Sequence, residues 1–168
     1  MSFSAKNEPF TIKKELYNEL QKVGLKTLSD FITDKPQNEL SELISQAITL
    51  YSYSISTFDI HLRISHLITI YESLLLEYDR KYKMEASVKK RIKKLIPTNR
   101  PQHSAYLEVL FGEMYQVRHK MVHKARRLHL NMDYVREFQL TTIEMIKALC
   151  HLSNSLASKE QLIEYLDN

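Results

Sequence analysis

The stretch NELSELISQAITLYSYSISTF, Asn38 to Phe58, decides the fold class of this chain. Its apolar and small residues recur at spacings of three and four, which is the signature of a helix with one buried face. We expect that face to consist of Leu40, Leu43, Ala47, Leu50, Tyr51, Ser54 and Phe58. The next segment repeats the period with Ile60, Ile64, Leu67, Tyr71, Leu74 and Tyr78. Together they predict either a pair of long helices or one long helix with a kink near Ser56.

The rest of the chain favours helices as well. It has only two Gly and four Pro, none of them between Pro36 and Pro97, so the turn residues that β folds require are missing. Three further segments carry helical stripes: Met84, Val88, Ile92 and Leu95; then Leu107, Leu110, Met114, Val117 and Met121; then Val135, Phe138, Thr142, Met145, Leu149, Leu152 and Leu156. The prediction is an all-α, single-domain helical bundle of four to five long helices plus short helices.

Prolines and capping residues set the expected boundaries of the helices. Pro97 and Pro101 cannot continue a helix, and Ser104 can cap the next one. The last long helix is expected to start after Asn131 or Asp133, and Ser158 with Gln161 matches a capping box for a short final helix.

We expect two regions along the chain. Residues 1–37 form an N-terminal extension with one helix, Ile12 to Val23, stopped by Gly24 and docked on the bundle. Residues 38–168 form the helical domain.

Composition narrows the class of protein. The chain has 168 residues, of which 43% are hydrophobic and 26% charged, so it can bury a core without disulfides. Its net charge of +4 is compatible with an anionic partner but does not require one. The N-terminus has no apolar signal core, and Cys150 is a single cysteine in an apolar helical segment. We therefore expect a cytoplasmic protein without membrane insertion, with a buried, inert thiol.

Several kinds of site are disfavoured. His119 and His123 have the i, i+4 spacing that a zinc ion can bridge, but Lys120 stands where a metalloprotease helix needs Glu. No Glu-x-x-His pair exists for a di-iron site, and two glycines cannot build a phosphate-binding loop. No Gly-x-Ser-x-Gly elbow occurs either. We expect neither a metal nor a cofactor.

The segment SVKKRIKKLI, Ser87 to Ile96, places a cationic surface over an apolar seam. This surface is either a solvated helix face or a stripe that binds phosphates without regard to sequence. The candidate RNA-binding residues are Lys89, Lys90, Arg91, Lys93 and Lys94, joined by Lys124, Arg126 and Arg127 further along the chain.

The segment YQVRHKMVHKARR, Tyr115 to Arg127, has the groups that cleave RNA without metal. Such cleavage needs a base, an acid and a fixed cation, and histidine and arginine can fill these roles. Arg118 and His123 are the candidate pair. On an ideal helix they are about 140° apart, so convergence requires the Arg side chain to wrap, the helix to loosen near Val122, or a second subunit.

The same residues resemble the HEPN superfamily, whose hallmark is Arg, four to six residues, then His, often with a polar residue after the Arg. RHKMVH, Arg118 to His123, fits this pattern. The segment HLRISHLITIYESLLLEYD, His61 to Asp79, resembles a helix of the Apea-like branch, with Glu72 followed by leucines. The resemblance covers about residues 39–157, and it departs from the branch at Lys124, where Gly is usual.

The resemblance implies a HEPN-like bundle that dimerises, with the Arg and His of both subunits near a shared cleft. Many members are metal-independent endoribonucleases in toxin–antitoxin, phage-defence or RNA-processing systems, while others are inactive interaction modules. It implies that Arg118 and His123 are catalytic, that His119 assists, and that Glu72 orients Arg118 or His123. The expected partners are RNA, a second copy of the chain, and a protein such as an antitoxin. The alternative without catalysis is that Arg118 forms a packing salt bridge with Glu72 or Glu113.

Overall fold

The computed structural model of the protein describes residues 25–33, 36–78, 82–96, 101–124 and 128–168. These ranges contain seven helices: α1 Leu25–Thr33, α2 Glu39–Ser56, α3 Ile60–Leu75, α4 Met84–Leu95, α5 Pro101–Lys124, α6 Met132–Leu152 and α7 Lys159–Asp167. The prediction of an all-α bundle is confirmed, with α2, α3, α5 and α6 as its long helices. Among the described residues, no helix has the length and apolar character needed to cross a membrane.

Helices α2 and α3 are two separate helices, so the alternative of one kinked helix is wrong. Asn38 caps α2 by accepting a hydrogen bond from the backbone N–H of Ser41 at 2.8 Å, and the Ser41 hydroxyl accepts one from the N–H of Asn38 at 3.0 Å. The chain leaves α2 at Thr57, and Asp59 caps α3 by accepting from the N–H groups of His61 and Leu62. A connection of this length makes the two helices antiparallel neighbours.

The core contains most of the expected stripe residues, including Leu40, Ala47, Ile64, Leu67, Tyr71 and Leu74. Two predictions are wrong, because both residues lie beyond the end of their helix. Phe58 follows α2 and is fully exposed, and Tyr78 follows α3 and donates its hydroxyl to the carboxylate of Glu39. A residue past a helix end no longer follows the 3.6-residue period that the sequence pattern assumes.

Tyr71 lies at the centre of the bundle. Its ring stacks on Phe138 and meets Phe111 edge to face, both at 5.2 Å between ring centroids. Burial raises the pKa of the Tyr71 hydroxyl, which lies 3.3 Å from the hydroxyl of Thr142. This aromatic cluster joins α3, α5 and α6 and so fixes the helices that carry the candidate site.

The boundaries of the later helices agree only in part with those predicted from the sequence. Helix α5 begins at Pro101, so the prediction that Ser104 caps it is wrong. A proline is tolerated in the first turn of a helix, because an N–H group at that position would have no acceptor within the helix. Asn131 caps α6 as expected, and Ser158 caps α7 by accepting from the N–H of Gln161. The Gln161 side chain accepts from Ala157 rather than from Ser158, which alters the expected capping box.

Helix α1 was not predicted. It packs on α2 and α6, and its Leu28 and Phe31 lie against the core. Two partly buried residues in a short helix give too weak a period to be recognised in the sequence. The predicted helix from Ile12 to Val23 and its stop at Gly24 lie outside the described residues.

Candidate active site

Arg118 and Glu72 form an ion pair between α5 and α3. The guanidinium Nη1 of Arg118 donates to Oε1 of Glu72 at 2.6 Å, and the two side chains are 29% and 18% exposed. At the other end of α3, the backbone N–H of Leu128 donates to Nε2 of His61 at 3.2 Å. These two contacts show that α3 and α5 run antiparallel, and the second ties the segment after α5 to the start of α3.

His119 and His123 lie on one face of α5, as their spacing predicts. Their ring centroids are 4.6 Å apart with the planes tilted by 45°, and both residues are exposed. Helix α5 is continuous through Lys124, so of the three alternatives the one in which the helix loosens near Val122 is wrong. Arg118 instead points to the α3 side of the helix, where its long side chain meets Glu72.

All four residues line one cavity of about 210 Å³. Its walls are Glu72 from α3, Met84 from α4, and Tyr115, Arg118, His119, Val122 and His123 from α5. The structure therefore brings together every residue that the sequence assigned to catalysis. The 140° offset expected from an ideal helix does not keep Arg118 and His123 from lining the same cavity.

Three residues of this cavity are not predicted from the sequence. Tyr115 lies one turn before Arg118, and Val122 one turn after it, so both could have been found from the helical spacing. Met84 was predicted as a core residue of the basic helix, but as the first residue of α4 it also lines the cavity. No sequence signal indicates that the start of α4 lies beside the end of α3 and the C-terminal part of α5.

Tyr115 connects the site to the aromatic core. Its ring is half-buried and lies 5.8 Å, centroid to centroid, from that of Phe111. Burial and, after it, the charge of Glu72 raise the pKa of Tyr115, while the charge of Arg118 lowers it. Tyr115 thus borders the same cavity as the paired side chains of Glu72 and Arg118.

The basic helix α4 is largely neutralised by carboxylates of the same chain. Lys89 pairs with Glu85 and lies over α5, and Lys93 pairs with Glu108 of α5. Lys90 lies 3.4 Å from a carboxylate oxygen of Asp167. Lys94 is exposed, and the described part of the chain gives it no ion-pair partner.

Arg91 does not belong to a solvent-facing cationic surface, so its assignment to RNA binding is wrong. Only 1% of its surface is exposed. Its guanidinium donates to the carbonyl of Leu75 at 2.6 Å and to the carboxylates of Glu77 and Asp167, each with a shortest distance of 2.6 Å. Burial alone would lower the pKa of Arg91, but the two carboxylates outweigh this effect and raise it. The residue holds α4 to the end of α3 and to α7.

The other candidate RNA-binding residues lie after the site. Lys124 is exposed at the last position of α5. Arg126 and Arg127 lie outside the described residues. Of the predicted set, Lys94 and Lys124 are the exposed cations for which the described residues provide no ion-pair partner.

A larger groove of about 560 Å³ lies on another side of α5. It has an apolar floor that includes Met114, Val117 and Leu130, and its rim carries Lys120 and His129. Its lining has one histidine, His129, where the smaller cavity has two, His119 and His123.

The described residues also bear on metal and thiol chemistry. Within those ranges, no three His, Cys, Asp or Glu side chains lie close enough together to hold a metal ion. Cys150 is buried in α6 as predicted, and burial raises the pKa of its thiol to about 12. A thiol with such a pKa is almost wholly protonated at neutral pH and is a poor nucleophile.

Comparison of the chain with family models, with curated proteins and with solved structures gave no match.

Proposed function

We propose that this chain is a metal-independent endoribonuclease of the HEPN type, with Arg118 and His123 at its site. The observation that supports the proposal is the shared cavity: Glu72, Arg118, His119 and His123 were selected from the sequence, and all four line the same 210 Å³ space. A setting in toxin–antitoxin, defence or RNA-processing systems belongs to the same proposal, as does a cytoplasmic location.

The proposed reaction is an internal transesterification. His123 or His119 removes the proton of a ribose 2′-OH, and the 2′-oxygen attacks the adjacent phosphorus. The bond from phosphorus to the 5′-oxygen breaks, and a second protonated group gives that oxygen its proton. The products are a 2′,3′-cyclic phosphate and a free 5′-OH. The proton lost by the 2′-OH is matched by the proton gained by the 5′-oxygen, so the reaction balances without a metal.

In this scheme Arg118 stabilises the negative charge that develops on the phosphate. One guanidinium nitrogen contacts Glu72, and the other N–H groups can bind the phosphate oxygens on which negative charge accumulates. Glu72 holds the cation in place, and its partial burial limits competition from water. Lys94 and Lys124 would attract the RNA backbone in a salt-dependent way.

A homodimer would complete the site. His119 and His123 are neighbours on one exposed helix face, so a single subunit places its two imidazoles together rather than on opposite sides of a phosphate. In a dimer, the His123 side chains of the two subunits could serve as base and acid. The test is the molar mass in solution, which for a dimer is twice the 19.9 kDa of one chain.

A second candidate is an inactive interaction module that binds a protein such as an antitoxin. The observation that favours it is the exposed apolar surface at the turn between α2 and α3, where Tyr53, Ile55, Phe58 and Leu62 are all exposed. Exposed apolar patches of this kind mark protein-binding surfaces. In this alternative the ion pair between Arg118 and Glu72 only holds two helices together.

One assay separates the two candidates. Labelled RNA is incubated with wild-type protein in EDTA, beside Arg118→Ala and His123→Ala. The matched controls are Arg136→Ala and His151→Ala, which remove an exposed arginine and an exposed histidine on α6, outside the cavity. The nuclease proposal expects losses of about 100-fold or more for the first two variants and wild-type rates for the controls. Equal traces for all five proteins would refute it.

A further inference from the structure

His119 and His123 have a spacing that occurs once in this chain. Of its seven histidines, they are the only two that lie three or four positions apart. Helix α5 is continuous through both, so the two side chains lie on one face of a regular helix, one turn apart. Their ring centroids are 4.6 Å apart, and both residues are exposed.

The two rings are close enough to bind one metal ion together. Zinc binds an imidazole nitrogen at about 2.0–2.1 Å, so two nitrogens on one tetrahedral ion are about 3.3 Å apart. The rings already lie 4.6 Å apart between centroids, and as exposed side chains they can rotate until their nitrogens reach that separation. The backbone of α5 does not have to move for this.

The charges around the pair permit a cation to approach. Arg118 lines the same cavity, but its guanidinium is paired with the carboxylate of Glu72 at 2.6 Å. Lys120 lines the larger groove on another side of α5. Lys124 is exposed, so water and salt screen its charge. None of these three cations therefore prevents a divalent ion from reaching the imidazoles.

The pair supplies only two protein ligands. Within the described ranges no third His, Cys, Asp or Glu completes a group that could hold a metal ion, and the carboxylate of Glu72 is engaged by Arg118. Structural zinc sites use four protein ligands and catalytic ones use three. A site with two, whose remaining positions are taken by water, binds an ion that exchanges with the solvent.

We propose that His119 and His123 form an exchangeable site for a divalent transition-metal ion such as Zn²⁺, and that this ion inhibits the cavity. A metal ion uses the nitrogen lone pair with which an imidazole accepts a proton, so a bound ion blocks the proton transfers assigned to these histidines. The inhibition rests on the proposed function, whereas the binding of the ion does not. The sequence argues against a metalloprotease or di-iron site, and this exchangeable pair is neither.

Zinc binding is measured on the full chain by calorimetric titration with zinc chloride, and it is located by the NMR signals of the histidine rings. We expect the signals of His119 and His123 to shift together. His119→Ala and His123→Ala should each weaken zinc binding by about tenfold or more, because each removes one of the two ligands. His151→Ala is the control, since it removes an exposed histidine outside the cavity and should leave the affinity at the wild-type level.

The second measurement is the rate of cleavage of labelled RNA by the wild type in EDTA, in Zn²⁺ and in the same concentration of Mg²⁺. Mg²⁺ prefers oxygen ligands, so it controls for the effect of divalent charge on the RNA. We expect saturating Zn²⁺ to lower kcat by about tenfold or more, and excess EDTA to restore it. Mg²⁺ should leave kcat unchanged.

The outcomes separate the metal site from the nuclease. A zinc affinity that stays at the wild-type level in His119→Ala or in His123→Ala overturns the site, and so does an equal loss in His151→Ala. Zinc bound at the pair with unchanged cleavage overturns the inhibition, as does equal inhibition by Mg²⁺. A wild-type protein that binds zinc through both histidines but cleaves no RNA supports the metal site and refutes the nuclease.

Discussion

The guanidinium of Arg118 and the carboxylate of Glu72 are 2.6 Å apart, although 46 positions separate them in the sequence. The contact joins the last turn of α3 to the C-terminal third of α5 and gives the cavity a cation held by a carboxylate. Its importance for activity can be separated from its importance for stability, because a partly exposed ion pair contributes little to folding.

Replacing Glu72 by Gln should therefore affect activity more than stability. We expect RNA cleavage to fall by about tenfold, because Arg118 loses its charged partner, while the free energy of unfolding falls by less than about 1 kcal/mol. Urea denaturation and initial cleavage rates measure the two effects. Glu144→Gln breaks a surface pair with Lys147 and is the control. A large loss of stability with unchanged activity would mean that the pair only holds the helices together.

Replacing Arg91 should affect stability more than activity. Arg91→Ala leaves the carbonyl of Leu75 without its guanidinium donor and releases α7 from α4, so we expect the free energy of unfolding to fall by about 3 kcal/mol. Lys90→Ala removes the neighbouring, exposed contact to Asp167 and should cost less than about 0.5 kcal/mol. Chemical denaturation of both variants compares them directly, and equal losses would show that Arg91 is not the anchor.

The same cluster predicts sensitivity to acid. The hydrogen bond from Arg91 holds the pKa of Asp167 below its usual value of 3.8. A carboxylate whose pKa is lower in the folded state stabilises the fold above its unfolded pKa, and this contribution is lost as the pH falls through the folded value. The free energy of unfolding of the wild type should thus decrease below about pH 4, and that of Asp167→Asn should decrease less. Parallel curves for the two proteins would contradict this.

Gly112 offers a test of how the basic helix lies on α5. A Cβ at this position would be 2.5 Å from Nζ of Lys89 and 3.2 Å from Oε1 of Glu85. These atoms are the ends of flexible side chains, so their displacement costs only a partly exposed ion pair. Alanine favours a helix over glycine by about 1 kcal/mol. Gly112→Ala should therefore be stabilising by about 0.5 kcal/mol in thermal or urea denaturation. A marked destabilisation would mean that the Lys89–Glu85 pair cannot move.

The helices could be predicted from the sequence because each long one repeats its apolar residues over several turns. The predictions failed at helix ends, where Phe58 and Tyr78 match the period but lie outside the helix, and at Pro101, where a proline starts a helix instead of preventing one. The period of apolar residues shows which face of a helix is buried, but it does not show at which residue the helix ends.

The candidate site could be predicted from local spacing only in part. Arg118, His119 and His123 lie within two turns of one helix, and the cavity contains all three. Arg91 was misassigned because the carboxylates that bury it are 14 and 76 positions away, so nothing beside it in the sequence distinguishes it from the exposed lysines. Contacts between distant segments decide whether a charge is buried, and one sequence does not reveal them.

The most direct test of the central claim is the single-turnover rate of RNA cleavage in EDTA by wild-type protein and by Arg118→Ala, with the ends of the products analysed. We expect the wild type to yield 2′,3′-cyclic phosphate and 5′-OH ends, and Arg118→Ala to be slower by about 100-fold or more. Wild-type cleavage that EDTA abolishes, or an Arg118→Ala rate equal to that of the wild type, would contradict the assignment of this cavity as a metal-independent nuclease site.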